Sequence, residues 1–238
     1  MAKSKKPKEP PPPTPEEVRA ATLPDSRAEL LAQAKQAQQL FRDSVVAGDQ
    51  AGLEEAALWS TAIIWKMNGG TMFGSYADDN SPGCVVDRVC GAPPGVVPQW
   101  GQSGEFVVTT CGVRALVSVK GDGLSRTLWI EFRALDLDRP FISETGFRAC
   151  MNIGFAREDD RQPMRETVVQ TAERALADLV HAEKSEHDGG KRGLQMVRPE
   201  ALESCREFIA SCTWLAGASL PQADETFEEK TGQVAFAF

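Results

Sequence analysis

Two runs of alternating apolar and polar residues, joined by a glycine turn, constrain this chain more than any other feature of its sequence. The turn, Gly-Asp-Gly, lies at residues 121–123. A period of two places alternate side chains on opposite faces of a strand, and a glycine turn between two such runs is typical of a β-hairpin. We therefore predict a hairpin over about 105–135, with residues 106–110 continuing its first strand through a bulge at Gly112.

The segments on either side of the hairpin have helical periodicity. Residues 14–17 read Thr-Pro-Glu-Glu, the pattern of an N-cap followed by a first helical turn. Apolar residues recur at helical spacing up to Gly48 and again over residues 49–67, so two long helices should form an antiparallel pair. Further helices are predicted over residues 163–185 and from Pro199 onward. The predicted fold class is therefore α+β, a small antiparallel sheet packed by N- and C-terminal helices.

Composition divides the chain into three parts. Residues 1–13 are rich in lysine and proline and are expected to form a disordered arm. Residues 14–216 hold the apolar periodicity and should form a single α+β domain, interrupted by a long glycine- and proline-rich loop over residues 69–104. Within that loop, Cys84–Cys90 is predicted to form a short strand. Residues 217–238 are expected to be an acidic tail.

The charge of the chain is unevenly distributed. The sequence has 26 basic and 34 acidic residues, a net charge of −8, although residues 1–13 are positive because they contain four lysines. An acidic body argues against a protein that coats DNA without specificity, since such binding comes from cations that replace counterions. Nucleic-acid binding through the basic arm, with Trp100 or Trp129 stacking on bases, is therefore a second alternative that the composition does not favour.

No segment resembles a membrane span or an export signal. The apolar runs are far shorter than the roughly 18 residues that cross a bilayer, and no apolar stretch follows the basic start. We therefore expect no membrane contact and a cytoplasmic location, in which the six cysteines are reduced thiols.

Recognised motifs for catalysis and cofactor binding are missing from the sequence. The chain has neither a dinucleotide-binding glycine pattern nor a P-loop, and no serine in a nucleophile elbow. Its two histidines, His181 and His187, are six residues apart and do not share a helix face. We therefore expect no cofactor, and the sequence leans toward a protein without enzymatic activity.

Carboxylates near the exit of the hairpin leave one enzymatic alternative open. Acidic side chains that converge can bind Mg²⁺ or perform acid–base chemistry, which would make the chain a metal-dependent hydrolase or nuclease. Ordinary surface ion pairs would explain the same residue types without any chemistry. The residues concerned are Glu131, Asp136, Asp138 and Glu144.

A short polar turn between Phe141 and Phe147 is the main candidate for a binding site. The two aromatic residues can anchor the turn while the polar residues between them are presented outward. The same run is equally compatible with a helix start capped by Ser143 or Thr145. In a chain without a catalytic motif, this turn predicts an accessory protein that binds a protein partner. The candidate binding residues are Ser143, Glu144, Thr145, Arg148, Trp129 and Arg139.

The run that contains this turn, Asp138–Arg148, resembles a segment of accessory proteins from broad-host-range plasmids and related mobile elements. Those proteins usually carry tyrosine at the position of Phe147. The resemblance implies a bacterial cytoplasmic accessory protein encoded on a mobile element, and it implies no particular reaction.

Overall fold

A computed structural model of the chain describes residues 12–120, 124, 127–154, 166–182 and 193–217. Within these ranges the chain forms six α-helices and one four-stranded antiparallel sheet, which confirms the predicted α+β class. None of the helices in these ranges is both long enough and apolar enough to cross a membrane.

The first three helices form where helix-starting residues and apolar spacing coincide. Helix α1 (Pro15–Ala20) begins with a capping box. In it, Thr14 Oγ1 accepts a hydrogen bond from the Glu17 amide at 3.3 Å, and the Glu17 carboxylate accepts one from the Thr14 amide at 2.9 Å. Helix α2 (Arg27–Ala47) and helix α3 (Gln50–Met67) follow.

Helices α2 and α3 form the predicted antiparallel pair. The chain reverses at Gly48, whose φ of 68° is a left-handed conformation that glycine adopts without strain. Trp59 of α3 donates a hydrogen bond from Nε1 to Gln33 Oε1 of α2 at 3.2 Å. The apolar residues of α2 that recur at helical spacing are all buried: Leu30, Ala34, Ala37, Phe41 and Val45.

The short strand predicted over Cys84–Cys90 is wrong, because these residues belong to helix α4 (Pro82–Cys90). Proline at the first helical position suits a helix start, since its missing N–H would have no partner there. Val86 and Cys90 are buried in a cluster with residues of α2 and α3. A valine-rich run of this length is compatible with either element, and packing against the helical pair selects the helix.

The sheet consists of β1 (Gly104–Thr110), β2 (Val113–Lys120), β3 (Thr127–Ala134) and β4 (Phe147–Gly154). The strands are hydrogen-bonded in chain order, and each pair is antiparallel. The pairing of β2 with β3 confirms the predicted hairpin, and its turn at residues 121–123 lies outside the described residues.

Strand β1 does not continue into β2 as predicted, because the chain reverses between them. Cys111 (φ 49°) and Gly112 (φ 71°) both have positive φ, the backbone conformation of a two-residue hairpin turn. Thr110 and Val113 pair directly across this turn. Glycine suits both a bulge and a turn since each can require a positive φ, so the sequence alone did not distinguish them.

The C-terminal half of the described chain adds two helices. Helix α5 (Val168–Val180) begins with a second capping box, formed by Thr167 and Gln170. It lies within the helix predicted over residues 163–185, the ends of which fall outside the described residues. Helix α6 (Pro199–Ser211) confirms the predicted start at Pro199 and leads into a 3₁₀ helix over Thr213–Gly217. The predicted acidic tail lies outside the described residues beyond that point.

One face of the sheet packs against α2, α3 and α5 and forms the main core. Phe41 of α2, Leu53 of α3 and Leu176 of α5 all belong to this core. The helical pair and the sheet therefore share one apolar interior. The strand residues that line it are Phe106, Val108, Val113, Ala115, Val117, Val119, Leu128, Ile130, Phe132 and Ala134.

The opposite face of the sheet is only partly covered. At one end, Leu116 of β2 packs against Cys212 and Leu215, which follow α6. Arg133 of β3 stacks on the ring of Phe208 from α6, with its guanidinium carbon 4.0 Å from the ring centroid. The candidate residues Trp129 and Glu131 lie on this second face, because they share the strand parity of Arg133.

Candidate nucleic-acid interface

The predicted polar turn is a hydrogen-bonded corner at the start of β4. The Gly146 amide donates to the Ser143 carbonyl at 3.1 Å, and Ser143 Oγ lies 2.9 Å from Thr145 Oγ1. Phe141, which is only 2% exposed, holds one side of the corner in the core. Thr145 is exposed, so this corner does lie at the protein surface.

Helix α6 contacts the same corner. Glu144 Oε1 lies 2.5 Å from Arg198 Nη2, and the Glu144 carbonyl accepts a hydrogen bond from the Arg198 amide at 2.8 Å. Cys205 donates from its thiol to the Thr145 carbonyl at 3.6 Å. Glu144 therefore joins the turn to the start of α6.

The structure does not gather all six candidate binding residues at this corner. Arg148 is exposed on β4 just after the turn, and Arg139 is exposed in the link that precedes Phe141. Trp129 lies on β3 four residues before Arg133, the strand partner of Phe147. At about 3.3 Å per strand residue, that separation is roughly 13 Å.

Two carboxylates of the proposed metal site are engaged by cations of the sheet. Glu131 is 6% exposed, and its carboxylate lies 2.7 Å from Lys120 Nζ and 3.8 Å from Arg133 Nη2. Asp136 forms an ion pair with Arg114 of β2. Both acids therefore neutralise nearby cations, which is the ordinary role that the sequence left open for them.

The other two carboxylates do not complete a metal site with them. Glu144 pairs with Arg198, and Asp138 is exposed in the link after β3. Within the described part of the chain, no three histidine, cysteine, aspartate or glutamate side chains come together as metal ligands would. The geometry therefore gives the hydrolase alternative no support.

Gly146 is the residue of the polar turn that should tolerate substitution least. Its φ of 69° is left-handed, and a Cβ placed on it would lie 2.5 Å from Cys205 Sγ. Gly146→Ala should therefore lower the free energy of unfolding by about 1–3 kcal/mol, from backbone strain and from displacement of α6. Urea denaturation measures the change. Gly69→Ala is the matched control, since Gly69 has nearly the same φ, 71°, with open space around it. Equal losses in both variants would contradict the predicted clash with α6.

The histidine and cysteine side chains form no recognisable catalytic group in the described residues. His181 Nε2 lies 3.4 Å from Cys111 Sγ, a contact between the end of α5 and the β1–β2 turn, while His187 lies outside the described residues. All six cysteines are free thiols. Burial raises the pKa of the Cys90 thiol to about 11, so it stays protonated at neutral pH.

The stacking role considered for Trp100 is wrong. Its side chain is 4% exposed, and its Nε1 donates a hydrogen bond to the Glu166 carbonyl at 3.1 Å. A ring enclosed in this way cannot meet a base. Trp129 is 44% exposed, and the lysines of the basic arm lie outside the described residues.

The four N-terminal helices, α1–α4, form a helical unit with its own charge pattern. Residues 16–89 contain six basic and eleven acidic residues, a net charge of −5. Three of the six cations are in ion pairs with N–O distances of 2.8–3.0 Å: Arg19 with Glu55, Arg42 with Asp43, and Lys66 with Asp25.

The other three cations of the helical unit are exposed and form no ion pair within the described residues. They are Arg27 and Lys35 on α2 and Arg88 on α4, and we refer to them as the α2–α4 cations. Arg88 Nη2 donates to the Asp79 carbonyl at 2.7 Å, a contact with a neutral backbone group. Helices α2 and α4 pack on each other, so these cations lie on neighbouring helices.

A polar cleft opens next to Arg27, where the start of α2, the end of α3 and the start of α4 meet. It encloses about 300 Å³. Lys66 Nζ is held there by the Leu23 carbonyl at 2.6 Å and by Asp25 at 2.8 Å, and its hydrogen bond and charge keep the pKa of the Asp25 carboxyl below its usual value. The residues that line the cleft are Asp25, Arg27, Leu30, Lys66, Met67, Asn80 and Pro82.

The helical unit is similar to a DNA-binding domain. Residues 16–89 match the family model described as the KlcB N-terminal DNA-binding domain, and residues 103–186 match a second model described as the KlcB third domain. The first match covers nearly all of α1–α4, and the second covers the sheet and α5.

Two known proteins are similar to this chain over about half of its length. Both are called "Protein KlcB" and come from Escherichia coli; one is 45% identical over 131 residues and the other 48% identical over 130 residues. These alignments cover 55% and 54% of this chain, and 28% and 32% of the two relatives. The chain is thus homologous to a plasmid-encoded protein over about half its length, and the match spans about a third of those relatives. No solved structure matches the chain.

These matches correct the functional reading of the sequence. The expected link to plasmids is confirmed, and the similarity extends far beyond the run Asp138–Arg148. The KlcB relatives support the predicted accessory protein, but the predicted protein partner is wrong, because the matching N-terminal domain is described as DNA-binding. Nucleic-acid binding, which the composition did not favour, is the better-supported alternative.

Sequence reasoning missed the helical unit as a functional region for an identifiable reason. Charge counting treats every lysine and arginine alike, and the net charge of residues 16–89 is negative. The distinction between paired and unpaired cations depends on which helices are neighbours.

Proposed function

We propose that this protein binds DNA through the helical unit α1–α4. The observation that carries the proposal is the match of residues 16–89 to a DNA-binding domain. The α2–α4 cations support it, since they are the cations of this unit that no carboxylate in the described residues neutralises. A protein that binds plasmid DNA would act in the cytoplasm, which is the location we expect.

The net negative charge of the helical unit predicts how strongly its DNA binding depends on salt and on base sequence. Affinity from counterion release scales with the number of phosphates that cations neutralise, at a slope of about −0.9 in log K against log salt for each contact. Three available cations would give a slope of about −3. Such a protein depends more on contacts with bases and on DNA shape than on charge, so its binding should be sequence-selective.

The salt dependence of DNA binding tests this proposal. A duplex is first selected from a random pool with the full chain, and its affinity is then measured by fluorescence anisotropy between about 50 and 200 mM salt. The triple variant Arg27→Gln, Lys35→Gln, Arg88→Gln should weaken binding and flatten the slope by about one per residue, because each lost cation removes one phosphate contact. The matched control is Arg139→Gln, an exposed arginine outside the helical unit.

Two results would count against the helical unit as the DNA-binding element. One is failure of the full chain to enrich any duplex sequence from the pool. The other is an unchanged affinity and slope in the triple variant. A further variant with Lys3, Lys5, Lys6 and Lys8 changed to glutamine measures the contribution of the basic arm, and it should retain the same selected sequence.

A further inference from the structure

The loop between α3 and α4 carries the most exposed large apolar side chain in the described residues of the helical unit. Phe73 is 93% exposed, and its neighbour Met72 is 41% exposed. A phenylalanine in water lacks the stabilisation that burial of such a side chain contributes. Both residues lie within the stretch that matches a DNA-binding domain.

Hydrogen bonds hold the tip of this loop in one shape. Asn68 donates from Nδ2 to the Thr71 carbonyl at 2.7 Å and to the Phe73 carbonyl at 3.0 Å. The Phe73 amide donates to Thr71 Oγ1 at 3.1 Å, and the Ser75 amide donates to the Met72 carbonyl at 3.2 Å. Phe73 is thus presented on a preorganised backbone, which lowers the entropy lost when its ring is immobilised by a partner.

The base of the loop is anchored to α4. The Gly83 amide donates to the Ser75 carbonyl at 2.8 Å, and Ser75 is 3% exposed. The Tyr76 ring lies so close to Gly83 that a Cβ on this glycine would be 2.4 Å from it. The loop is therefore fixed at both ends while its tip stays in solvent.

The loop also starts and ends at the polar cleft. Met67, just before the loop, and Asn80, near its end, both line that cleft together with Lys66 and Arg27. Arg27, one of the α2–α4 cations, therefore lies at the base of a loop whose tip is apolar. A few phosphate contacts position a protein on DNA, and they supply little affinity in a unit with a net charge of −5.

We propose that Phe73 is a wedge that inserts between adjacent base pairs of duplex DNA, with Met72 packing beside it. This inference rests on the proposed DNA-binding function and names the contact that supplies its non-electrostatic affinity. Phenylalanine and methionine are among the side chains that partly unstack base steps and kink the duplex. An inserted ring contacts the bases on either side of the opened step, and every base offers a ring face for such stacking.

The test uses the full chain and the duplex selected from the random pool, with 2-aminopurine placed in turn at each position. Wild-type protein should raise the 2-aminopurine fluorescence at one step, because unstacking relieves quenching. Phe73→Ala should remove this signal and weaken binding about tenfold. Phe73→Trp should retain both the 2-aminopurine signal and the binding affinity. Val46→Ala is the matched control, since Val46 is an apolar residue of the same unit that is 56% exposed.

The possible outcomes separate the wedge from the proposed function. If wild-type protein selects a duplex but Phe73→Ala binds it equally well, the wedge is wrong and DNA binding by the helical unit stands. Tight binding to single strands alone, lost in Phe73→Ala, would also overturn a wedge in duplex DNA. If wild-type protein binds no DNA, both proposals fail. Circular dichroism should show the same melting temperature for Phe73→Ala and wild type, so a binding loss is not a folding loss.

Discussion

Replacing Phe41 with alanine should lower the free energy of unfolding by about 3–5 kcal/mol, the range measured when a large aromatic residue is removed from a well-packed core. Phe41 is 1% exposed and lies on α2, yet it packs in the same core as Trp100 and strands β1–β3. It therefore belongs to the contact between the helical unit and the sheet. Its loss should destabilise both parts together.

Amide hydrogen exchange during urea denaturation can follow the helices and the strands separately. In Phe41→Ala, both sets of amides should lose protection at the same, lower urea concentration, which is the behaviour of one cooperative domain. Val46→Ala on the same helix should change stability by no more than about 0.5 kcal/mol, because its side chain is 56% exposed. If the helices of Phe41→Ala lost protection while the strands kept theirs, our proposal of a single domain over residues 14–216 would have to be abandoned.

Replacing Asp136 with asparagine should cost about 2–3 kcal/mol, because it removes the carboxylate that pairs with Arg114. The Arg114 and Asp136 side chains are 23% and 15% exposed, so water compensates the guanidinium only in part. Arg114 Nε and Asp136 Oδ2 are buried without another partner among the described residues, which makes the direct contact between the two side chains more important.

Chemical denaturation of Asp136→Asn beside Asp138→Asn measures this effect. Asp138 is exposed, so its variant should stay within about 0.5 kcal/mol of wild type. Similar small losses in both variants would mean that solvent already screens the Arg114–Asp136 pair. The same comparison bears on the metal alternative, since a metal site would make wild-type stability rise with millimolar Mg²⁺ and would make Asp136→Asn insensitive to it.

The sequence predicted the fold well where a local pattern has a single structural meaning. Period-two patterning in β2 and β3 around a glycine turn indicates a strand pair, and the capping box at Thr14 and Glu17 marks the start of a helix. It failed where a pattern has two meanings. Gly112 suits both a bulge and a turn, and the valine-rich run at Cys84–Cys90 suits both a strand and a helix.

The candidate sites show the same division. The sequence left both a turn and a helix start open for the run around Thr145, which forms an exposed turn in the structure. It could not show that Glu144 pairs with Arg198, since that residue is more than fifty positions away along the chain. It also could not distinguish the buried Trp100 from the exposed Trp129, because the burial of a tryptophan depends on which segments pack around it.

Periodicity and capping residues therefore determined, from the sequence alone, that this protein is an α+β chain with a central antiparallel hairpin and long flanking helices. These signals are local, and each is encoded within a few residues of the element it specifies. Tertiary structure alone decided which cations stay unpaired and that Phe73 stands exposed on a hydrogen-bonded loop. The physical reason is that charge pairing and burial depend on which segments become neighbours in space, and spacing along the chain does not report this.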